Sequence, residues 1–261
     1  MTNQEIQTKQ QLIDLITGNN NNGVYSVKPR IFLEALEKKE APASREFSLI
    51  FPPVTIGSPS IFEVSIISLF VRLIAPHKIV EIGTYTGYTT AILAKNSREN
   101  AVIVSIDLPT GNYLDQFNAI SNDTLLNNWE MNDNFLRQRQ SDSGELYISG
   151  LASCYASKIE LIKADSIRLS HDHFIRLANT EIFFIDGGHS LETVKSDTNI
   201  ALASIASSGV ILWHDYGSSI HCEVTDYIDK FLSSEHTILH IRGTSLALLI
   251  NGKEALERLL G

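Results

Sequence analysis

Ile79-Val80-Glu81-Ile82-Gly83-Thr84-Tyr85-Thr86-Gly87 is the stretch whose reading decides the fold. A β-branched run ends at Glu81 and Ile82, two glycines follow, and residues 88–95 read as a helix. Glycine suits such a place because the chain turns sharply and its backbone must approach a ligand without interference from a Cβ. The turn is then expected to offer backbone amides and a helix N-terminus to the anionic end of that ligand. Its spacing is G-x-x-x-G, not the G-x-G-x-x-G of dinucleotide binders, and G-x-x-x-x-G-K-[ST] and G-x-S-x-G are both absent. A nicotinamide or flavin site is therefore weakened, and neither a phosphate loop nor a nucleophile elbow is signalled.

Outward from the turn, Val102–Ile106, Ile159–Ile162, Ile182–Ile185 and Val210–Trp213 repeat the β-branched pattern between helical segments. Runs that are apolar on both faces suit the buried parallel strands of a doubly wound α/β sheet. Thr237–Ile241 and Leu246–Ile250 are joined by only Arg242-Gly243-Thr244-Ser245. They must be antiparallel neighbours, because a parallel crossover needs about a dozen residues or more. Upstream, Ser60 and Glu63 have capping-box spacing ahead of an apolar helix that should stop by Pro76. Residues 1–58 read as an N-terminal helical cap, with helices near 4–17 and 29–39 around Asn19-Asn20-Asn21-Asn22-Gly23, and 59–261 as the main domain. The gap between the second and third strands of that domain is too long for one helix. Residues 112–155, rich in aromatics and amides, are therefore read as an insertion and as the leading candidate for substrate recognition, with a peripheral helical pair as the alternative.

Two further anchors follow in order. Asp107 lies 26 positions after Glu81 and closes the second strand, where a carboxylate is placed to accept both hydroxyl hydrogens of a ribose. Asp165 and Ser166 follow the third strand, where a side-chain acceptor can receive an adenine amino group. Each has an ordinary explanation as turn chemistry; their order on successive strands is what singles them out.

The whole-chain numbers narrow the class. An apolar fraction of 43% with 20% charged residues suits a folded globular domain. A formal charge of −9 repels a phosphate backbone, so a nucleic-acid partner is disfavoured and a small-molecule substrate favoured. Cys154 and Cys222 are the only cysteines, which argues against a disulfide framework and for a cytoplasmic protein. The start of the chain lacks a signal-peptide pattern, and no apolar run approaches a membrane span.

Residues 81–94, Glu-Ile-Gly-Thr-Tyr-Thr-Gly-Tyr-Thr-Thr-Ala-Ile-Leu-Ala, resemble the first motif of the class I S-adenosylmethionine-dependent methyltransferases, in the form found in catechol and caffeoyl-coenzyme A O-methyltransferases. Residues 184–197, Phe-Ile-Asp-Gly-Gly-His-Ser-Leu-Glu-Thr-Val-Lys-Ser-Asp, with Trp213-His214-Asp215-Tyr216, are more similar to the bacterial methyltransferase 24 group. The resemblance spans roughly residues 55–250. It implies a Rossmann-like seven-stranded sheet with a terminal antiparallel hairpin, and S-adenosyl-L-methionine as cofactor. It also implies that Glu81 and the backbone of Gly83, Thr84, Tyr85 and Gly87 hold the methionine moiety, Asp107 the ribose, and Asp165 with Ser166 the adenine. A homodimer formed through the cap helix is a further expectation from the resemblance.

The catalytic reading follows from position. Asp186, and His214 with Asp215, lie just beyond the fourth and fifth strands of the expected sheet, whose C-terminal ends border the same crevice as the turn. Methylation of a hydroxyl requires deprotonation of the oxygen and in-line approach to a sulfonium methyl. In one route Asp186, His214 and Asp215 hold a divalent ion, Mg2+ or Mn2+, that lowers the hydroxyl pKa. The resemblance implies an Asp-Asn pair where His214-Asp215 stands, and imidazole suits transition metals better than Mg2+. In the other route His189 or His214 is a metal-free general base. Lys195 and Asp197 read as a solvated pair, and His171 and His173 as surface residues. The sequence favours an O-methyltransferase acting on a small hydroxylated metabolite, sugar or natural product, and lacks the Asn-Pro-Pro-Tyr signature of amino-group methylation. The alternatives are N-methylation of a small amine and a non-catalytic partner subunit that binds adenosylmethionine.

Overall fold

A computed structural model describes residues 4–18, 22–36, 46–51, 57–109, 133, 136 and 146–251. Along the chain these form β1 (Gln4–Ile6), α1 (Lys9–Thr17), β2 (Gly23–Val27), α2 (Pro29–Leu36), α3 (Ile61–Ile74), β3 (Lys78–Ile82), α4 (Tyr88–Asn96) and β4 (Val102–Asp107). Then come α5 (Leu146–Ser149), α6 (Ser153–Ala156), β5 (Ile159–Lys163), α7 (His171–Leu177), β6 (Thr180–Ile185), α8 (Leu191–Ser204), β7 (Ile205–Trp213), α9 (Cys222–Lys230), β8 (Thr237–Ile241) and β9 (Ala247–Ile250).

All the described strands lie in one sheet, in the order β1-β2-β8-β9-β7-β6-β3-β4-β5. The five from β5 to β7 are parallel. β9 runs antiparallel to β7 and to β8, so the terminal hairpin places its second strand against the parallel set. Alternation along the strands sends Ile79 and Ile103 to one apolar layer and Val80, Ile82 and Ile106 to the other. Residues of α1 to α4 cover the first layer and residues of α7 to α9 the second. The result is a Rossmann-like doubly wound sheet, with its ligand crevice where β4 and β6 leave opposite sides of β3.

The N-terminal segment departs from the expectation of a helical cap beside a seven-stranded sheet. Its helices exist, but β2 pairs with β8 and β1 with β2, extending the sheet to nine strands. Gly23-Val24-Tyr25-Ser26-Val27 buries Tyr25 and Val27 and satisfies backbone groups of β8, which would otherwise be an open edge. Phe32 of α2 stacks on Phe70 of α3 with ring centroids 6.1 Å apart, joining this segment to the main core. Most of the 112–155 insertion, read as a recognition element or a helical pair, lies outside the described residues. Among the described residues no helix is long and apolar enough to cross a membrane, and both cysteines are free and exposed.

α3 begins as its sequence predicts. The Ser60 side chain accepts from the Glu63 amide, and Glu63 Oε2 accepts from the Ser60 amide at 2.8 Å. It ends at Ala75, left-handed at φ 47° ahead of Pro76. Because Phe32 is buried in the shared core, Phe32→Ala should cost about 3–5 kcal/mol. Urea unfolding followed by circular dichroism should then show one transition at lower denaturant; loss of a separate early transition instead would mean that the N-terminal segment folds apart from the sheet.

Candidate functional site

The turn after β3 is shaped by a backbone contact. Gly83 has φ 101°, and a Cβ there would sit 2.0 Å from the carbonyl oxygen of Asp186, a position no side chain can occupy. Ladder hydrogen bonds continue past the strand ends. The Asp186 amide donates to Ile82 O at 2.8 Å and the His214 amide to Ile185 O at 3.0 Å. Asp186 and His214 are therefore held as firmly as strand residues.

Asp107 braces the turn from the neighbouring strand. Its Oδ2 accepts from the amides of Thr84 (3.1 Å) and Tyr85 (2.8 Å), and its Oδ1 from Leu108 (2.8 Å). Gly83 donates to Ile106 O and Gly87 to Thr84 O. The expectation that the turn presents its amides to a ligand is corrected here: at 83, 84, 85 and 87 they bind the protein itself. Tyr85 accordingly adopts φ 48°, a strained value for a residue with a side chain.

Glu81 stands behind the turn. It shares the sheet face of Ile79, so its carboxylate points under α4, where Oε2 accepts from Ser105 at 2.6 Å and from Thr90. Burial pushes it up to about 8, against the pull of the Ser105 and Thr90 hydroxyls.

A cavity of about 420 Å³ opens at this edge of the sheet. Gly83, Tyr85, Asp107, Asp165, Ser166, Asp186, His189, His214 and Asp215 line it, while Glu81, Thr84 and Gly87 do not. Asp165 reaches it while capping a short turn, accepting from the Ile167 amide at 3.1 Å. Its lining holds five aspartates and, among the described residues, no lysine or arginine. Asp197 is not in a solvated pair with Lys195. It is fully buried while Lys195 is exposed, because positions two apart on a helix face different ways. Burial pushes Asp197 up to about 7, against the Ser166 hydroxyl. His173 is a surface residue that caps its helix at Ser170.

The far wall is a network of carboxylates and imidazoles. His214 Nδ1 lies 3.1 Å from both Asp186 Oδ1 and Asp215 Oδ2, and its Nε2 lies 3.7 Å from Glu63 Oε2. His189 lies between two acids: Nδ1 is 2.5 Å from Asp133 Oδ1, and Nε2 is 2.9 Å from Asp215 Oδ2. The Asp133 carboxylate also accepts the His189 amide. Asp215 supports these contacts from a left-handed φ of 63°, a strain that structures retain where surrounding contacts over-determine it. Burial alone would lower both imidazoles. The hydrogen bonds and charges of Asp133 and Asp215 instead hold His189 at about 10, and Asp186 with its neighbours holds His214 well above its ordinary value. Burial would raise Glu63 and Asp215, but the His214 ring, and for Asp215 first the His189 ring, hold both carboxylates well below theirs.

The metal-ligand trio read from sequence, Asp186, His214 and Asp215, comes together through His214 Nδ1, while the buried Nε2 of that ring has no hydrogen-bond partner among the described residues. Donor atoms of Asp186, His189 and Asp215 also converge within 4.8 Å. Three members of the wall had escaped sequence reading. Glu63 looked like a capping residue and is one, but its second oxygen accepts from both the amide and the hydroxyl of Ser245. Asp133 sits in the insertion, with no periodicity to mark it. His221 precedes α9 and stacks on His189 at 3.6 Å between centroids.

The chain matches a methyltransferase domain family over residues 80–216. It also matches the protein-L-isoaspartate(D-aspartate) O-methyltransferase family over residues 29–127. No curated protein matches it. Among solved structures, the O-methyltransferase TomG of Streptomyces achromogenes, in complex with SAM, gives a TM-score of 0.50 at 16% identity, over 75% of this chain and 82% of that one. SAH-bound methyltransferase PaMTH1 of Podospora anserina gives 0.49 at 14% identity, over 76% and 80%. At such identities the first likeness speaks for the fold.

A raised histidine stabilises the fold in full below its unfolded value of 6.5, and the stabilisation is lost as pH rises through about 10. The thermal midpoint should therefore fall across that range. Asp133→Asn, which removes one of the two acids on the ring, should flatten the fall. Glu81, raised from 4.5 to about 8, loses stability in the same direction between those values, so the difference in slope between the two proteins is the readout. Equal slopes in differential scanning calorimetry would exclude Asp133 as the ring's partner.

Proposed function

We propose that this chain, which belongs to the class I S-adenosylmethionine-dependent methyltransferases, methylates a hydroxyl oxygen of a small neutral acceptor in the cavity beside the β3 turn. The observation that carries the reading is that Asp107 and the Asp186–His214–Asp215 cluster line one cavity. S-adenosylmethionine, when bound, supplies a methyl group activated by its sulfonium charge.

The residues fit that cofactor. A cationic sulfonium suits a lining of aspartates without lysine or arginine among the described residues. Asp107 closes β4 and faces the cavity, where a carboxylate can accept ribose hydroxyls. Asp165 and Ser166 stand one strand further out, where the adenine belongs. Gly83, by admitting the Asp186 carbonyl, and Glu81, Thr84, Tyr85 and Gly87 act by fixing the turn beside which the methionine end lies. The same acidic lining repels polyanionic acceptors and favours an uncharged phenol, sugar or other polyol.

In-line transfer needs the acceptor oxygen held close to the methyl carbon, and its proton removed as the new bond forms. His189 and His214 already carry protons at neutral pH, which removes both as bases. Asp186 is left as the group that accepts the hydroxyl proton at its carboxylate. His214, at 3.1 Å, holds that carboxylate in position. Asp186, His189 and Asp215 would also fit a divalent cation that displaces the proton between His189 and Asp215, Mn2+ better than Mg2+ because one donor is an imidazole. Such an ion would lower the pKa of the acceptor hydroxyl. The acidic lining equally suits a protonated amine, and N-methylation is the second reading.

Calorimetric titration with S-adenosylmethionine and with NAD tests the cofactor; binding of NAD alone overturns the reading. Loss of a charge-assisted contact should make Asp107→Ala bind S-adenosylmethionine about 10- to 100-fold more weakly. Asp186→Asn should keep cofactor affinity within a few-fold and lower kcat about 100-fold or more. Full turnover by Asp186→Asn would remove Asp186 as the proton acceptor, and NMR of the product distinguishes a methoxy from a methylamino group.

A further inference from the structure

The face of His189 turned away from the proposed reaction centre carries a second set of donors. Asp133, His189 and His221 each present one ligand atom, and these atoms all lie within 4.8 Å of one another. The three residues are all buried and all line the 420 Å³ cavity. We infer that Asp133, His189 and His221 form a binding site for a divalent transition-metal ion, distinct from the donor set of Asp186 and Asp215.

Two observations carry this. The donor set is two imidazoles and one carboxylate, the combination that holds catalytic zinc or non-haem iron with a coordination position left open. Magnesium, which prefers an octahedron of oxygens, fits it poorly. Secondly, His221 is 8% exposed, and its Nδ1 is buried with no hydrogen-bond partner among the described residues. A metal bond would give that atom the partner it lacks.

The geometry also defines what binding must change. Asp133 and His189 are hydrogen-bonded at 2.5 Å through Oδ1 and Nδ1, and an ion that enters between them displaces that proton. His221 lies nearly parallel to His189, with 22° between the ring planes. It must rotate about its side-chain bonds to bring a nitrogen to bonding distance. Because His189 meets Asp215 through Nε2, the ion on the Nδ1 side leaves the Asp186–Asp215 side of the ring intact. Three protein ligands leave at least one position facing the cavity, where a hydroxyl or carboxylate oxygen of a small molecule can complete the shell.

The inference stands independently of the methyl-transfer reading. Full-length protein is stripped with chelator and titrated with Co2+, following visible absorption and heat, and the experiment is repeated with Zn2+. Wild-type protein should take up the ion with the intense absorption of a four- or five-coordinate cobalt centre. His221→Ala should weaken uptake at least about ten-fold, whereas Asp186→Asn should leave it within a few-fold. His221→Asn, closer in size and polarity, serves if the alanine variant does not fold, as judged by circular dichroism. Absence of uptake by the wild type overturns the inference and leaves His221 as a stacking partner of His189. Loss in Asp186→Asn with retention in His221→Ala overturns it as well, by assigning the ion to the other face. S-adenosylmethionine titrations on the same samples keep the two readings apart: cobalt uptake through His221 without cofactor binding supports this site and sinks the proposed function alone.

Discussion

The approach of Gly83 to the carbonyl of Asp186 sets the geometry at the functional edge of this sheet. With 2.0 Å between that oxygen and any added Cβ, only glycine lets the chain leaving β3 pass the chain leaving β6 at this separation. The close passage keeps the turn low over the strand ends. Asp107 can then reach across from β4 and hold the turn by two of its amides. The same passage extends the β-ladder to Asp186 and, through Ile185, to His214. The turn and the Asp186 and His214 positions are thus parts of one hydrogen-bonded edge, and their separation is fixed by backbone geometry.

On that edge the chain assembles charges that a folded core ordinarily avoids. Glu63, Asp133, Asp186 and Asp215 surround the protonated rings of His189 and His214, and the cluster remains net negative. Buried ions persist only where partners replace the water they lose. His189 has a carboxylate at each nitrogen, His214 has two at Nδ1, and the Glu63 and Asp133 carboxylates accept backbone amides as well. The surplus negative charge is what a sulfonium or a metal cation would neutralise. The same carboxylates raise the proton affinity of both rings, so histidines that look like bases by residue type are held toward their cationic form.

Distant parts of the chain converge on the same cluster. Glu63 caps α3 and at the same time binds Ser245, which lies just before β9. The start of a helix on one layer is thereby tied to the terminal hairpin and, through His214, to the site. Asp133 reaches the site from the insertion, and His221 from the N-terminus of α9. The N-terminal segment acts more remotely, by closing the edge of β8 and adding Phe32 to the core.

The sequence by itself determined the alternation of strands and helices, the antiparallel last pair, the α3 cap and the order of Asp107, Asp165, Asp186 and Asp215 at strand ends. These are local properties, carried by side-chain period, turn chemistry and spacing. β1 and β2 were not legible, because the five-residue β2 beside an asparagine tract takes its stability from β8, more than two hundred residues later, and the three-residue β1 from β2. Glu81 was assigned to the ligand by its place at a strand end, but strand period points it under α4, and only the packed layers show what lies there. The shared cavity of the anchors, the partners of Glu63, Asp133 and His221, and the raised proton affinity of His189 and His214 were decided by tertiary structure alone. A proton's affinity depends on burial and on charges within a few ångströms, and the neighbours that supply them come from separate elements whose proximity no local sequence pattern encodes.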